Sequence, residues 1–430
     1  MPAPGKILPW LIGGAVGVGG LLQGLHWKAA ASADSQAEME SRLRIVIEEN
    51  ELLRRENESL RSLAQGGGEF AVPREWIDHV EKEFGLAFLH GPVVHRIAGE
   101  ELRDRVAAAI ESRMGPAGID DRQEAWRLLG WIGEDDDLLW QLTSVRAVGA
   151  RGWFDDVSGD AWVTDRFQIS EIPDQAILLR LLSRSLLHQH FPPSPAHPGD
   201  DASRAREALH HGAAAGVESR FLTAHARQHG FLAMQPNPEA THLFASLPAF
   251  VRGITTFASI EGKGFADTHH LAGNEVLLDV LRNPPQTTRA VIQPAAAPLV
   301  RIDFAAPATE EEPYLTESAG QLGLRLWIEL AGGDPALAAA WTGDCYRLIP
   351  DGDASSAVVW EVAFASAEDA VRFESLAQSR VIAMTQSDAP VGTGDIRVSP
   401  AKRHLAVTRP SAVRVRFLNT ATAELARQCL

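Results

Sequence analysis

The sequence predicts an α+β protein: a mainly helical body with a small sheet, preceded by one transmembrane helix and a short coiled coil. Three observations predict this. Apolar residues recur at helical spacing over 73–142 and again over 174–229. Between these stretches, residues 150–164 read as a hairpin around the turn pair Ser158-Gly159. From about residue 301, alternating segments interleave with helical ones, so strands and helices share or adjoin one core. The 45% hydrophobic and 22% charged content suits a folded body. The net charge of −16 argues against nucleic acid or an anionic membrane surface as the main ligand, since both need a basic face. Two cysteines, Cys345 and Cys429, cannot form a Cys-rich metal site or a disulfide framework.

In chain order, residues 1–6 form a short tail with Lys6. Residues 7–27 (ILPWLIGGAVGVGGLLQGLHW) hold no Asp, Glu, Lys or Arg. That length suits one membrane crossing, with Trp10 and Trp27 as interfacial anchors. Six glycines would destabilise the same stretch as a buried soluble helix. The rival reading is a cleaved signal peptide, because Ala31-Ser32-Ala33 resembles a cleavage site. Lys6 before the stretch and Asp34, Glu38 and Glu40 after it put the tail inside and the bulk outside the cytoplasm, with Lys28 opposing. The expected location is the cell membrane, single-pass, with most of the chain extracytoplasmic or periplasmic.

Residues 36–63 fit heptads. Met39, Val46, Leu53 and Leu60 take position d, and Leu43, Asn50 and Asn57 take position a. Glu49 and Glu56 at g face Arg54 and Arg61 at e of a parallel partner, which implies a parallel homodimer. The bland alternative is a solvated single helix, because about three heptads with two polar a positions are marginal. Residues 64–69 are a glycine-rich linker, and the globular part starts near Phe70. It divides at about residue 300 into a part over 70–300 and an α+β part over 301–430 packed on it.

Within the globular part, helices are expected over 73–84, 98–114, 122–142, 174–191 and 202–229. Residues 192–201, 235–250 and 283–300 read as Pro-rich connections. A helical pattern with Phe250, Phe257, Leu271, Val276 and Leu281 lies between the last two. In the tail, 300–304, 345–349, 357–362 and 411–418 read as strands, and 318–330 and 366–380 as helices. No repeat of 20–50 residues is visible.

The order of these pieces resembles a bacterial and archaeal family of zincin-like metalloproteases. Gly152-Trp153-Phe154-Asp155 is similar to that family's Gly-Phe-Tyr-Asp hairpin. Leu186, Gln189, His190 and Phe191 match the tail of its active helix, His-Glu-x-x-His-Ala-Leu-Gln-Asp-Gln-His-Phe. Ala208–Ala214 resembles the helix that carries the third metal ligand. Asn283-Pro284-Pro285-Gln286-Thr287-Thr288 resembles a Pro-Pro-x-Ser/Thr-Thr turn, and Gly343-Asp344-Cys345-Tyr346 the closing strand. The resemblance covers about residues 70–380 and implies a zincin-like fold.

The departures fall on the chemical positions. Arg180 stands at the first ligand, Leu181 at the general-base Glu, Arg184 at the second ligand and His211 at the third. Arginine has no lone pair for a metal, and without a carboxylate nothing is placed to deprotonate a water. The resemblance therefore implies a degenerate member, a pseudopeptidase with no catalytic residue, cofactor or metal. Its extracytoplasmic domain would bind an extended peptide or protein against the sheet edge at Ala161–Thr164. The competing set is His188, His190, His210 and His211, two histidines from each of two helices, as a displaced zinc site or active hydrolase. Ser183 and Ser185 lie near His188, but no Gly-x-Ser-x-Gly elbow accompanies them. Arg180, Arg184 and His188 share one helix face, either a solvated stripe or a cationic cleft floor paired with a carboxylate. His269-His270 reads as surface.

Overall fold

A computed structural model describes residues 68–430 except 115–116, 194–197, 231–236, 296–311 and 353–354. The expected tail, membrane segment and coiled coil, linker residues 64–67, and the strand over 300–304 lie outside the described residues. No described helix is long and apolar enough to cross a membrane. Gly67–Leu430 forms one compact unit.

Its first part is helical around a three-stranded sheet. Helix α1 (Arg74–Phe84) follows Pro73, whose fixed φ suits a helix entry, and stops at Gly85 in the left-handed region. Strand β1 (Val94–Ile97) leads to helix α2 (Gly99–Arg113). The helix expected over 122–142 is two: α3 (Gly118–Leu128) and α4 (Leu138–Ala147). Gly130, at φ 71°, turns the chain between them, and Asp137 caps α4 by accepting from the Trp140 amide. Strands β2 (Gly152–Phe154) and β3 (Ala161–Thr164) form the expected hairpin, but β3 also pairs in parallel with β1. The sheet order is β1-β3-β2. The edge expected at Ala161–Thr164 is therefore the centre, and β2 is an outer strand.

Helix α5 (Ile172–His190) ends before Pro192-Pro193, as a proline pair requires. Helix α6 (Asp200–His229) packs along it. Next come α7 (Pro238–Ser246), in a stretch expected to be a connection, α8 (Ala249–Phe257), a π turn at Ala258–Gly262, α9 (Lys263–Ala272) and α10 (Asn274–Arg282). Asn237 caps α7 with two side-chain hydrogen bonds, which lets a Pro-rich run become helical. Leu271, counted in the apolar pattern, is 85% exposed.

The turn at Asn283–Thr288 acts as a joint. Thr287 caps the short helix α11 (Thr288–Ile292). Thr288 donates through its amide (3.0 Å) and hydroxyl (2.6 Å) to Asp201 Oδ1 and accepts from the Leu322 amide (3.1 Å). One threonine thus joins α6, α11 and α12 (Gly320–Leu330).

The last part is a six-stranded antiparallel sheet of β4 (Leu315–Glu317), β5 (Trp341–Pro350), β6 (Ser356–Phe364), β7 (Arg397–Val398), β8 (His404–Ser411) and β9 (Arg414–Thr420). The strand order is β4-β5-β6-β9-β8-β7. The strand expected over 411–418 spans the β8–β9 turn. Helix α13 (Ala367–Thr385) packs on this sheet, and α14 (Ala423–Cys429) closes the chain over a small second cluster around Ile349, Val359 and Leu418. Cys345 and Cys429 are both free thiols.

The two parts share a core. Trp126 and Trp131 from the helical part meet Phe250, Tyr346 and Trp360, and Trp360 continues to Trp327 and Phe373. Two of their indole N–H groups donate across the boundary, while that of Trp131 is buried without a partner among the described residues. Trp126 Nε1 donates to Tyr346 (3.3 Å), and Trp327 Nε1 to the Leu129 carbonyl (3.1 Å). Buried Arg122 bridges Asp200 and Glu317. Asp344, in the Gly-Asp-x-Tyr strand, accepts from two indoles, the Ser318 hydroxyl and the amides of Ala319 and Gly320. That strand motif thus fastens the sheet to the start of α12.

Candidate functional site

A charged cleft lies between α5, α6, the β2–β3 hairpin and α2. Residues four apart on a helix share a face, so α5 presents Arg180 and Arg184, and α6 presents Glu207 and His211. A β-carbon added at Gly152 would lie 2.8 Å from both Ile177 and Leu181. Only glycine lets β2 rest this closely on α5. Leu181, at the position resembling a general base, is a buried packing residue under that strand.

At its end the hairpin folds on Asp155, whose carboxylate accepts from the Val157 amide and Ser158 hydroxyl. This turn points Asp156 into the cleft. Asp156 accepts a close ion pair from Arg184 and a longer one, 3.4 Å, from Arg113 of α2. Glu207 accepts from Arg113 at 3.1 Å and lies 3.9 Å from Arg146 of α4. Arg180 pairs with Glu218 at 3.1 Å. The cationic face of α5 is therefore a cleft floor paired with carboxylates, not a solvated stripe. A cavity of about 310 Å³ opens beside this network, with β2, Thr255, Ala258 and Ser259 on its wall.

The three positions resembling metal ligands do converge. Arg184 Nη1 lies 3.0 Å from His211 Nδ1. A guanidinium only donates, so that nitrogen accepts and the imidazole is neutral with its proton on Nε2. Burial, then Arg184 and Arg180, push the His211 pKa down to about 3. Burial raises Asp156, but Arg184 and Arg113 outweigh it and hold the carboxyl below the usual range. Arg184 also lies 5.1 Å from the Phe154 ring centroid. Its cation is thus held by His211, Asp156 and an aromatic face. These residues do not fit a metal: the one ring nitrogen aimed at the centre is already occupied, and a fixed cation stands there.

The four histidines are not brought together. His210 and His188 both line a second cavity of about 780 Å³. Burial drives the His210 pKa down to about 3, and that of His188 down as well. His188 packs under Gly159, where an added β-carbon would lie 2.6 Å from the ring. His190 instead donates from Nε2 to the Ala87 carbonyl (2.8 Å), and Gln189 binds the amides of Leu89 and His90. Gln189 and His190 therefore clamp the loop after α1. Among the described residues, no three His, Cys, Asp or Glu side chains are grouped to hold a metal. Ser183 and Ser185 are buried. His269 and His270, expected at the surface, are half-buried, with His269 against Phe265.

Sequence reasoning missed Arg113, Arg146, Glu207 and Arg206. Glu207 carries a signal, since it lies one turn before His211 on the same helix face. Arg113 and Arg146 come from distant helices and carry none.

The sequence profile of a domain of unknown function (DUF8575) matches residues 312–429, which spans the six-stranded sheet and not the α5–α6 cleft. No curated protein matches the chain. No solved structure matches it.

Proposed function

We propose that this protein is a degenerate zincin-like pseudopeptidase that binds extended peptide or protein without cutting it. One observation carries the reading: the Arg184 guanidinium lies between His211 and Asp156, at the centre where the resembling metalloproteases hold their metal. A covalent cation there polarises no water and leaves no open coordination position. What survives is the binding surface. Hydrogen bonds from Asp155 N to Asp160 O and from Thr164 N to Arg151 O fix the hairpin's pairing. By alternation, Gly152 and Phe154 turn their amides and carbonyls away from β3. Among the described residues, strand β2 has no further strand on that side, and it lines the cleft. An extended chain can add there through backbone groups alone.

On the sequence pattern, residues 7–27 hold the protein in the membrane and 36–63 pair two copies in parallel, with the folded body extracytoplasmic. The alternative, an active hydrolase with a relocated site, draws on His188 and His210, which share the larger cavity.

The test is metal content of the purified chain together with hydrolysis of an unstructured protein. The expected result is no stoichiometric metal and no cleavage, with peptide binding retained. About one zinc per chain with chelator-sensitive cleavage would overturn the reading and make His188 and His210 the residues to mutate.

A further inference from the structure

The larger cavity, about 780 Å³, lies beyond the Arg184 network and shares Arg113, Phe154, Asp156, Arg184 and Glu207 with the smaller one. Its volume suits a ligand of several tens of atoms. The walls are apolar: Phe154, Val157, Phe191, and the proline pairs Pro192-Pro193 and Pro284-Pro285.

Charge is left over. Three guanidiniums (Arg113, Arg184, Arg206) face two carboxylates (Asp156, Glu207) in the lining, an excess of one positive charge. The two histidines do not alter that sum at neutral pH, since both pKa values are lowered. Arg113 and Arg184 are committed to the two carboxylates and His211. Arg206 is not. Its Nη2 donates to the carbonyls of Phe191 and Pro192, each at 2.7 Å, which pins the guanidinium in place. Among the described residues no carboxylate pairs with it. Among the described residues, its Nε and Nη1 make no hydrogen bond. A fixed cation with unused donors at an apolar cavity is half of a charge-assisted hydrogen bond.

We infer that this cavity binds a monocarboxylate on an apolar body, with the carboxylate on Arg206 and the body against the proline and phenylalanine walls. The two oxygens of one carboxylate match the two unused donors of Arg206, Nε and Nη1. Two sources supply this chemistry: the C-terminal end of a peptide whose last side chain is apolar, and a free small aromatic acid. The first deepens the peptide-binding reading, because Phe154 belongs both to strand β2 and to this cavity.

The experiment uses the whole chain in detergent and three probes: a fluorescent hexapeptide ending in Leu-Phe with a free carboxylate, the same peptide amidated, and N-acetylphenylalanine as competitor. The free-acid peptide is expected to bind at least tenfold tighter than the amide. Arg206→Gln should remove that difference and Arg206→Lys should keep part of it. Equal binding of acid and amide overturns the inference while the peptide-binding reading stands. Binding of N-acetylphenylalanine with no binding of either peptide supports the cavity and sinks the peptide reading. No binding of any probe sinks both. Should Arg206→Gln fail to fold, the acid–amide comparison on the unaltered chain still decides.

Discussion

At Arg184 an ordinary rule of helix geometry meets an unusual setting, a guanidinium held between a histidine and a carboxylate. The i, i+4 spacing of Arg180 and Arg184 on one helix face was legible in the sequence, as was His211 on the following helix. The rest of the network was not, because Asp156, Arg113 and Arg146 arrive from other elements, and no local pattern encodes a contact at that separation. The neutral state of His211 has a measurable consequence. Its folded pKa of about 3 lies below the ordinary 6.5 of a free imidazole. Between those values the unfolded chain binds a proton that the folded chain refuses, so stability contributed by this residue falls as pH drops. His211→Gln keeps an acceptor for Arg184 and cannot titrate. The stability of the unaltered protein relative to this variant should therefore decline from pH 6.5 toward pH 4. The slope is at most about 1.4 kcal/mol per pH unit, and less for a ring that is partly exposed. Parallel denaturation curves for the two proteins at several pH values check it; a constant difference would mean that His211 is not held neutral. Taking the variant as reference cancels Asp201, whose burial-raised pKa of about 7 gives the opposite slope over part of that range.

At the scale of elements, the long helices were the most legible, since their apolar spacing persists for many turns and their ends carry prolines and glycines. The breaks were less so. Gly130 splits an expected helix because the chain must turn at positive φ between two tryptophan-bearing segments that both reach the core. Parallel pairing of β1 with β3 was invisible, because it joins strands separated by three helices and depends on no local turn. The glycine after His211 illustrates a role that only packing explains. A β-carbon at Gly212 would collide with the Gly262 carbonyl, and one at Gly262 with the backbone of Ala208. Helix α6 thus crosses the π turn backbone to backbone, and that turn leads out of the Ala258-Ser259 wall of the cleft. Gly212→Ala should destabilise the fold by about 1–3 kcal/mol, as overpacking does. It should also weaken peptide binding, whereas Gly264→Ala, where an added carbon meets nothing, should do neither. Urea unfolding of the two variants, with the peptide probe alongside, separates the cases.

At the scale of the whole described body, the cleft-bearing helices and the matched C-terminal sheet form one compact unit with a shared core. The sequence suggested a division near residue 300, because alternation replaces helical spacing there. The two parts are joined through the tryptophan cluster and through Arg122, whose buried guanidinium links α3 to Asp200 on α6 and Glu317 on β4. Removing one member strands the other charges in the interior. Arg122→Ala should cost about 3–5 kcal/mol. Unfolding should remain a single transition by fluorescence and circular dichroism; two separated transitions would show that the halves stand alone.

The guanidinium of Arg184 has a further consequence. A metal centre obeys a binding equilibrium: it can be empty, it can take the wrong ion, and it answers to supply, to chelators and to competing proteins. A cation bonded covalently into a side chain is not lost by ligand dissociation, and its acid dissociation lies far above neutral pH. The cleft of this protein is therefore charged as soon as the chain has folded, in every copy, whatever metals the surrounding compartment holds.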